Sequence, residues 1–298
     1  MMRTIDPSKI ATKDLHQYLL GTVSPRPIAF VSTLGPDGVP NLAPYSFFNA
    51  FSSNPPTVVF SSNRRVADNT TKDTLHNIES SGECVINAVS YSIVRQMAVA
   101  SVEYPAGVDE FVKAGLTPVP SEVVAPPRVA ESPAHLECRV RDIVTLGQHG
   151  GAGHLIICDV VRMHISEDVF DTDRPDRINP HKMDLMGRMG RAYYVRASGE
   201  AIHTIVQAVK PEAIGFDGLP DYVRSSHILS ANNLGQLAGM TAWPDRKLAE
   251  ELAETDSEIL SLSEDPDRSR KLEMSAKDVL DRHDDRQRAA LLLMVVNQ

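Results

Sequence analysis

Cysteine is scarce in this chain, basic charge is outnumbered, and long apolar runs are missing. Only three cysteines, Cys84, Cys138 and Cys158, occur among 298 residues. Their number is odd, their spacing is wide and no CxxC pair exists, which excludes a disulfide framework. Each lies in an apolar, strand-like stretch and reads as a reduced, buried thiol, which suits the cytoplasm. Lys and Arg total 30 against 39 Asp and Glu, a net charge of −9. That balance argues against a nucleic-acid partner. No run of about 18 apolar residues is present, so no membrane span is expected. The opening residues 1–7 contain no apolar signal core.

Several catalytic signatures are also missing. There is no Walker A sequence, GxSxG elbow or HExxH pair. Gly150-Gly151-Ala152-Gly153 lacks GxGxxG spacing and leads into a strand rather than a helix, so it is not a dinucleotide fingerprint. His181, His203, His227 and His283 are scattered without ligand spacing, and no metal site is expected.

Hydrophobic residues make up 42% of the chain, enough for a sizeable core. The length fits one core domain with an extension. A short helix over residues 13–21 is closed by Gly21. Strands follow over 27–34 and 39–48, joined by the turn Gly35-Pro36-Asp37-Gly38. Residues 57–61 form a buried third strand, and Thr70 or Thr71 caps a helix running to about Ser81. A strand over 84–87, a helix over 92–101 and a proline-punctuated stretch over 104–133 come next. Long β-runs then occupy 134–146 and 154–165. Strands dominate, with helices inserted between them. This is not regular strand–helix alternation, and an antiparallel barrel, closed or half-closed, fits better. Beyond about residue 200 the composition shifts. Residues 245–288 hold 14 acidic and 9 basic side chains. Leu248, Leu252, Ile259, Leu260 and Leu262 recur at near-helical spacing, and residues 289–296 form a last apolar segment. We divide the chain into a barrel domain, 1–198, and a helical C-terminal extension, 199–298.

Chemistry concentrates in residues 24–74. Ser61-Ser62-Asn63-Arg64-Arg65 ends a hydrophobic strand, where arginine forks and hydroxyls suit phosphate oxygens. Lys72-Asp73-Thr74 opens a helix, whose free N–H groups favour an anion. Ser46-Phe47-Phe48-Asn49 places aromatic surface beside hydroxyl and amide groups, which seats a flat ring. Together they suit an aromatic ligand carrying a phosphate.

The run from Ser24-Pro25-Arg26-Pro27-Ile28-Ala29 through Asn41-Leu42-Ala43-Pro44-Tyr45-Ser46-Phe47-Phe48-Asn49, Ser62-Asn63-Arg64 and Lys72-Asp73-Thr74 resembles the flavin reductase-like family. The likeness covers residues 15–195, including Gly153-His154-Leu155-Ile156-Ile157 and Asp184-Leu185-Met186-Gly187-Arg188-Met189-Gly190. It implies a mainly β fold with inserted helices, the FMN-binding split β-barrel. It also implies FMN, or FAD, as cofactor, and NADH or NADPH as hydride donor to flavin N5. Ser46, Phe47 and Asn49 would line the ring and ribityl chain. Ser62, Asn63 and Arg64 would approach the phosphate, with Lys72 and Thr74 on its other side. Asp73 would hold the loop or touch the flavin, and Arg26 and Pro27 would border the pocket. His154 would face the nicotinamide side as the catalytic candidate, although the acidic neighbour common there is replaced by Ala152-Gly153. Members are usually homodimers, and some serve a partner monooxygenase. Two alternatives stay open: a flavoredoxin-like electron carrier without NAD(P)H turnover, and a flavoenzyme with its own organic substrate.

Overall fold

The computed structural model describes residues 1–205 and 212–297. It divides into two compact units, Met1–His203 and Thr204–Gln298. The first opens with α1 (Thr12–Thr22), followed by β1 (Ala29–Leu34), β2 (Pro40–Tyr45), β3 (Phe48–Ser53) and β4 (Pro56–Asn63). Next come α2 (Asp73–Ser81), β5 (Glu83–Ala88), α3 (Val94–Ala100) and α4 (Glu110–Ala114). Two-residue strands β6 (Pro118–Val119) and β7 (Arg128–Val129) precede the long pair β8 (Ala134–Thr145) and β9 (Gly153–Ile165). The unit closes with α5 (Pro180–Met183), β10 (Leu185–Arg188) and β11 (Tyr194–Ala197).

Seven strands form one antiparallel sheet in the order β2-β1-β5-β8-β9-β4-β3. Its two edges are consecutive pieces of chain. The single strand expected over 39–48 breaks at Ser46 and Phe47, and the chain leaves β2 to pair with β4 as β3. The Ser61 N–H donates to the Phe47 carbonyl at 2.8 Å, so the sheet curls back on itself. Tyr45 and Phe60 seal this closure, their ring centroids 5.2 Å apart.

Strand alternation sorts the core. Ala29, Val31, Phe60, Ile86, Cys138 and Ile156 point into the barrel, while Ile28 and Phe30 pack outward with Met97 and Phe111 from the helices. Cys84, Cys138 and Cys158 are all buried and unbridged. The β10–β11 hairpin lies along the sheet through bridges Arg26↔Arg188 and Ser90↔Leu185.

The second unit is helical: α6 (Asp221–Arg224), α7 (Ala231–Ala238), α8 (Arg246–Thr255), α9 (Ser257–Ser261), α10 (Arg268–His283) and α11 (Arg286–Val296). Leu237, Ala249, Ile259, Leu272, Leu280 and Leu292 form its core. Asp245 caps α8, Asp256 caps α9 and Ser230 caps α7 through a capping box. The acidic residues of this segment thus include helix caps as well as a solvated face.

Candidate functional site

The end of β4, the start of α2 and the β2–β3 bend meet at one end of the barrel. Arg64 follows β4 and donates to Asn69 through Nε and Nη2, both at 2.8 Å. Arg65 reaches Glu103 at 2.9 Å and also holds Thr70 and Thr71. These bonds shape the loop into a fixed arch over residues 64–72. Thr70 bonds Asp68, and the Thr71 hydroxyl lies 2.6 Å from His76 Nε2. Neither threonine caps α2, contrary to expectation. The cap position belongs to Lys72, whose side chain makes no capping bond. The first turn of α2 therefore keeps N–H groups that an anion can use.

Lys72 leans over the Tyr45 ring, its Nζ 4.9 Å from the centroid. Burial lowers the Lys72 pKa, and Arg65 adds to that shift while Glu103 opposes it. Among the described residues, no carboxylate pairs with Lys72 or Arg64. Two cations at the ends of one arch, beside an uncapped helix start, match a phosphate dianion. Glu110 lies nearby with its carboxylate buried, accepting the Leu42 N–H at 2.9 Å; burial raises its pKa.

Ser62 and His154 are both buried. Both lie inside the barrel, because Ser62 shares its strand face with Phe60, and His154 shares its face with Ile156 and Cys158. They are cross-strand partners, 1% and 7% exposed. His154 Nδ1 lies 3.1 Å from the Thr145 hydroxyl, while His154 Nε2 and Ser62 Oγ have no hydrogen-bond partner. His154 is therefore buried in the barrel wall, with its Nε2 unpartnered. Tyr45 is 5% exposed, and burial pushes its pKa up to about 12. Thr74 and Ser62 lie near enough to oppose that rise, yet neither forms a well-aligned bond to the Tyr45 hydroxyl.

Three other expected ligand residues carry structural bonds. Thr74 is fully buried and accepts from Asn41 Nδ2 at 2.8 Å. Asn63 accepts from Ser61 Oγ at 2.7 Å and donates to the Gly151 carbonyl at 3.2 Å, which ties the glycine-rich connector to the arch. A Cβ on Gly150 would lie 2.9 Å from the Arg65 carbonyl oxygen and 3.0 Å from Val66 Cα, so that packing requires glycine. Arg26 is buried and donates to the carbonyls of Leu20, Val23 and Met189, with a 3.4 Å bond from Nε to Ser46 Oγ. Burial and the neighbouring Arg188 charge lower its pKa.

Ser46 and Phe47 stand at the bend, half-buried, with the Phe47 ring edge-on to His16 at 6.2 Å. Pro27 and Asn49 are exposed, Asp73 is half-buried, and Asn49 Oδ1 accepts from Ala50 N at 2.8 Å. The bend, the arch and Lys72 thus gather, while Ser62, Thr74 and His154 lie beneath them. Sequence reasoning placed Arg65 in the phosphate-suited stretch, where the structure has it bonding Glu103, Thr70 and Thr71, and gave no site role to Tyr45, Glu103 or Glu110. Asp109 preceding Glu110 as a helix cap was the available signal for the last. Among the described residues, no group of three or more His, Cys, Asp or Glu side chains is placed to hold a metal ion. Nor is any described helix long and apolar enough to cross a membrane.

The first unit is thus a curled antiparallel barrel that carries an arched, cationic strand end. Comparison with known proteins assigns the family: the flavin reductase like domain matches residues 21–182, and the chain belongs to that family. An uncharacterised protein of Aquifex aeolicus is 38% identical over 186 residues, covering 62% of this chain and 91% of its own length. Nitrilotriacetate monooxygenase component B from Bacillus cereus superposes with a TM-score of 0.62 at 32% identity, covering 68% of this chain and 99% of that one. The 2-nitrobenzoate 2-nitroreductase of Pseudomonas fluorescens gives the same TM-score at 26% identity, covering 71% and 100%.

Proposed function

We propose that the first unit binds FMN and acts as an NAD(P)H-dependent flavin reductase, supplying reduced flavin or electrons to a partner such as a monooxygenase. The observation that carries this reading is the meeting of Lys72, Arg64 and the start of α2, two cations without carboxylate partners beside a helix end without a side-chain cap. Arg64 and Lys72 would hold the phosphate, with Asn63 and Asp73 fixing the arch around it. Ser46, Phe47 and Asn49 would border the ring, and Arg26 and Pro27 would set the bend. Ser62, Thr74 and His154 would support this surface from inside the barrel. Bound FMN would supply the redox chemistry, accepting hydride at N5. The likeness to a monooxygenase component B supports the partner role. A homodimer is our reading of the unpaired outer edge of β3 and of Phe51, which is 68% exposed. A cytoplasmic setting agrees with three unbridged cysteines. The test is anaerobic addition of NADH, then NADPH, to protein loaded with FMN. Bleaching of the flavin bands within seconds supports the reading. A spectrum that neither donor changes points to the electron-carrier alternative instead.

A further inference from the structure

The first turn of α4 points a carboxylate into the protein rather than towards solvent. Asp109 caps this helix by accepting the N–H groups of Phe111 and Val112, and Glu110 follows it, 8% exposed. Glu110 Oε2 accepts the Leu42 N–H at 2.9 Å. β2 is an outer strand of the sheet, so the carboxylate stands where a further strand would otherwise supply the acceptor. Among the described residues, no Lys, Arg or His forms an ion pair with it. The charges that reach it are those of Asp73 and Asp109, both negative, and they add to the upward pKa shift that burial imposes. A buried carboxylate without a cation is costly to keep ionised. Glu110 also borders the proposed phosphate seat. One cavity of about 40 Å3 is lined by Glu110 together with Arg65, Lys72, Asp73, Thr74 and Glu103. Within it Arg65 is paired with Glu103, and Lys72 lies over the Tyr45 ring.

We infer that Glu110 is the proton-exchanging group of the phosphate seat: it takes a proton from solvent when a phosphate dianion binds and returns it when the anion leaves. This rests on the reading of Lys72 and the start of α2 as the place of the FMN phosphate. A dianion there adds negative charge to a cavity in which Glu110 is the buried carboxylate without a cation, and like charges favour its neutral form further. The charged and titratable groups around it are Asp109 beside it, Lys72 and Asp73 at the start of α2, Arg65 on the arch, and Glu103 and Tyr104 on the segment before α4. Asn41, Ala43 and Pro44 of β2 contribute no charge. At low pH Glu110 is neutral with or without the anion, and at high pH it is ionised in both states. Between these limits binding draws a proton in, and ionised Glu110 opposes the anion. The second ionisation of a phosphate, at about pH 6, acts in the opposite sense, because the dianion is the better ligand. Comparison with Glu110→Gln cancels that contribution.

The test is calorimetric titration of FMN into the full chain, in pairs of buffers with different ionisation heats, which counts the protons taken up per FMN bound. Glu110→Gln keeps an acceptor for the Leu42 N–H and removes the titration. Across a series from about pH 5 to 9, wild type should at some point take up at least about 0.3 proton more per FMN than the variant. At the alkaline end the variant should bind FMN at least about threefold more tightly than wild type, and at the acid end the two should agree within about twofold. Riboflavin, which carries no phosphate, should show neither difference. Failure of wild type to bind FMN would remove the phosphate seat and this inference with it. FMN binding with equal proton uptake and equal pH dependence in both proteins would overturn this inference alone and leave the seat intact. Should the variant fold poorly, carbon-13 NMR of the glutamate carboxyls in wild type decides instead. One resonance should titrate at higher pH in FMN-loaded than in free protein, and unchanged titration of them all would overturn the inference.

Discussion

Lys72 holds its ammonium 4.9 Å from the centre of the Tyr45 ring, over an aromatic face that is itself buried. A cation over a ring is stabilised without a counter-charge, so Lys72 stays available to an incoming anion. A charge-assisted contact of this kind is worth about 1.5–3 kcal/mol. Lys72→Gln should therefore weaken FMN roughly 10- to 100-fold by fluorescence titration, while far-ultraviolet circular dichroism stays unchanged. Unaltered affinity would remove Lys72 from the phosphate seat.

The same pair predicts behaviour in alkali. The Tyr45 pKa is raised to about 12 from 10.0 by burial, so the folded state retains a proton that the unfolded chain releases. The associated stability is fully present below pH 10 and is lost as pH rises towards 12, about 2–3 kcal/mol in all. Lys72 works the other way: its lowered pKa means that folding gains stability as pH approaches the ordinary lysine range. Denaturant melts of wild type and Tyr45→Phe should diverge between pH 10 and 12, with the variant losing less.

Gly150 reports on the arch. A methyl group there meets the backbone of Arg65 and Val66, which cannot give way as a flexible side chain would. Gly150→Ala should displace the loop that carries Arg64 and weaken FMN several-fold, about 1 kcal/mol or more. Riboflavin, which has no phosphate, should bind the variant and wild type alike.

Phe60 joins both edges of the barrel and is fully buried. Phe60→Ala should cost about 3–5 kcal/mol by chemical denaturation, in the range for large core truncations. A loss below about 1 kcal/mol would contradict the closure described here.

His154→Gln separates an interior role from a catalytic one. The imidazole is 7% exposed and held by Thr145. The variant should lower the melting temperature, yet change single-turnover flavin reduction by less than about threefold. A tenfold fall in that rate in folded protein would place His154 at the reacting face.

Much of the barrel was legible because alternation and turn residues act locally. Gly35-Pro36-Asp37-Gly38 marks the β1–β2 hairpin, and both long β-runs appear as β8 and β9 within about a residue. The break at Ser46 and Phe47 was not legible, since the residues on either side are equally strand-like and only pairing with β4 decides the turn. The arch was recognisable from residues 61–74, but which of its side chains face outward depended on inter-strand register. Ser62 and His154 look like ligands by type and become interior neighbours only when β4 lies against β9. Tyr45 and Glu110 likewise gain their roles from packing between distant segments.

FMN and riboflavin, titrated side by side against wild type and the Lys72→Gln, Arg64→Ala double variant, give the most direct measure of the central claim. The cradle described here predicts that wild type prefers FMN by at least about tenfold and that the double variant loses most of this preference. Equal binding of the two flavins by wild type, or a preference surviving both substitutions, would contradict it.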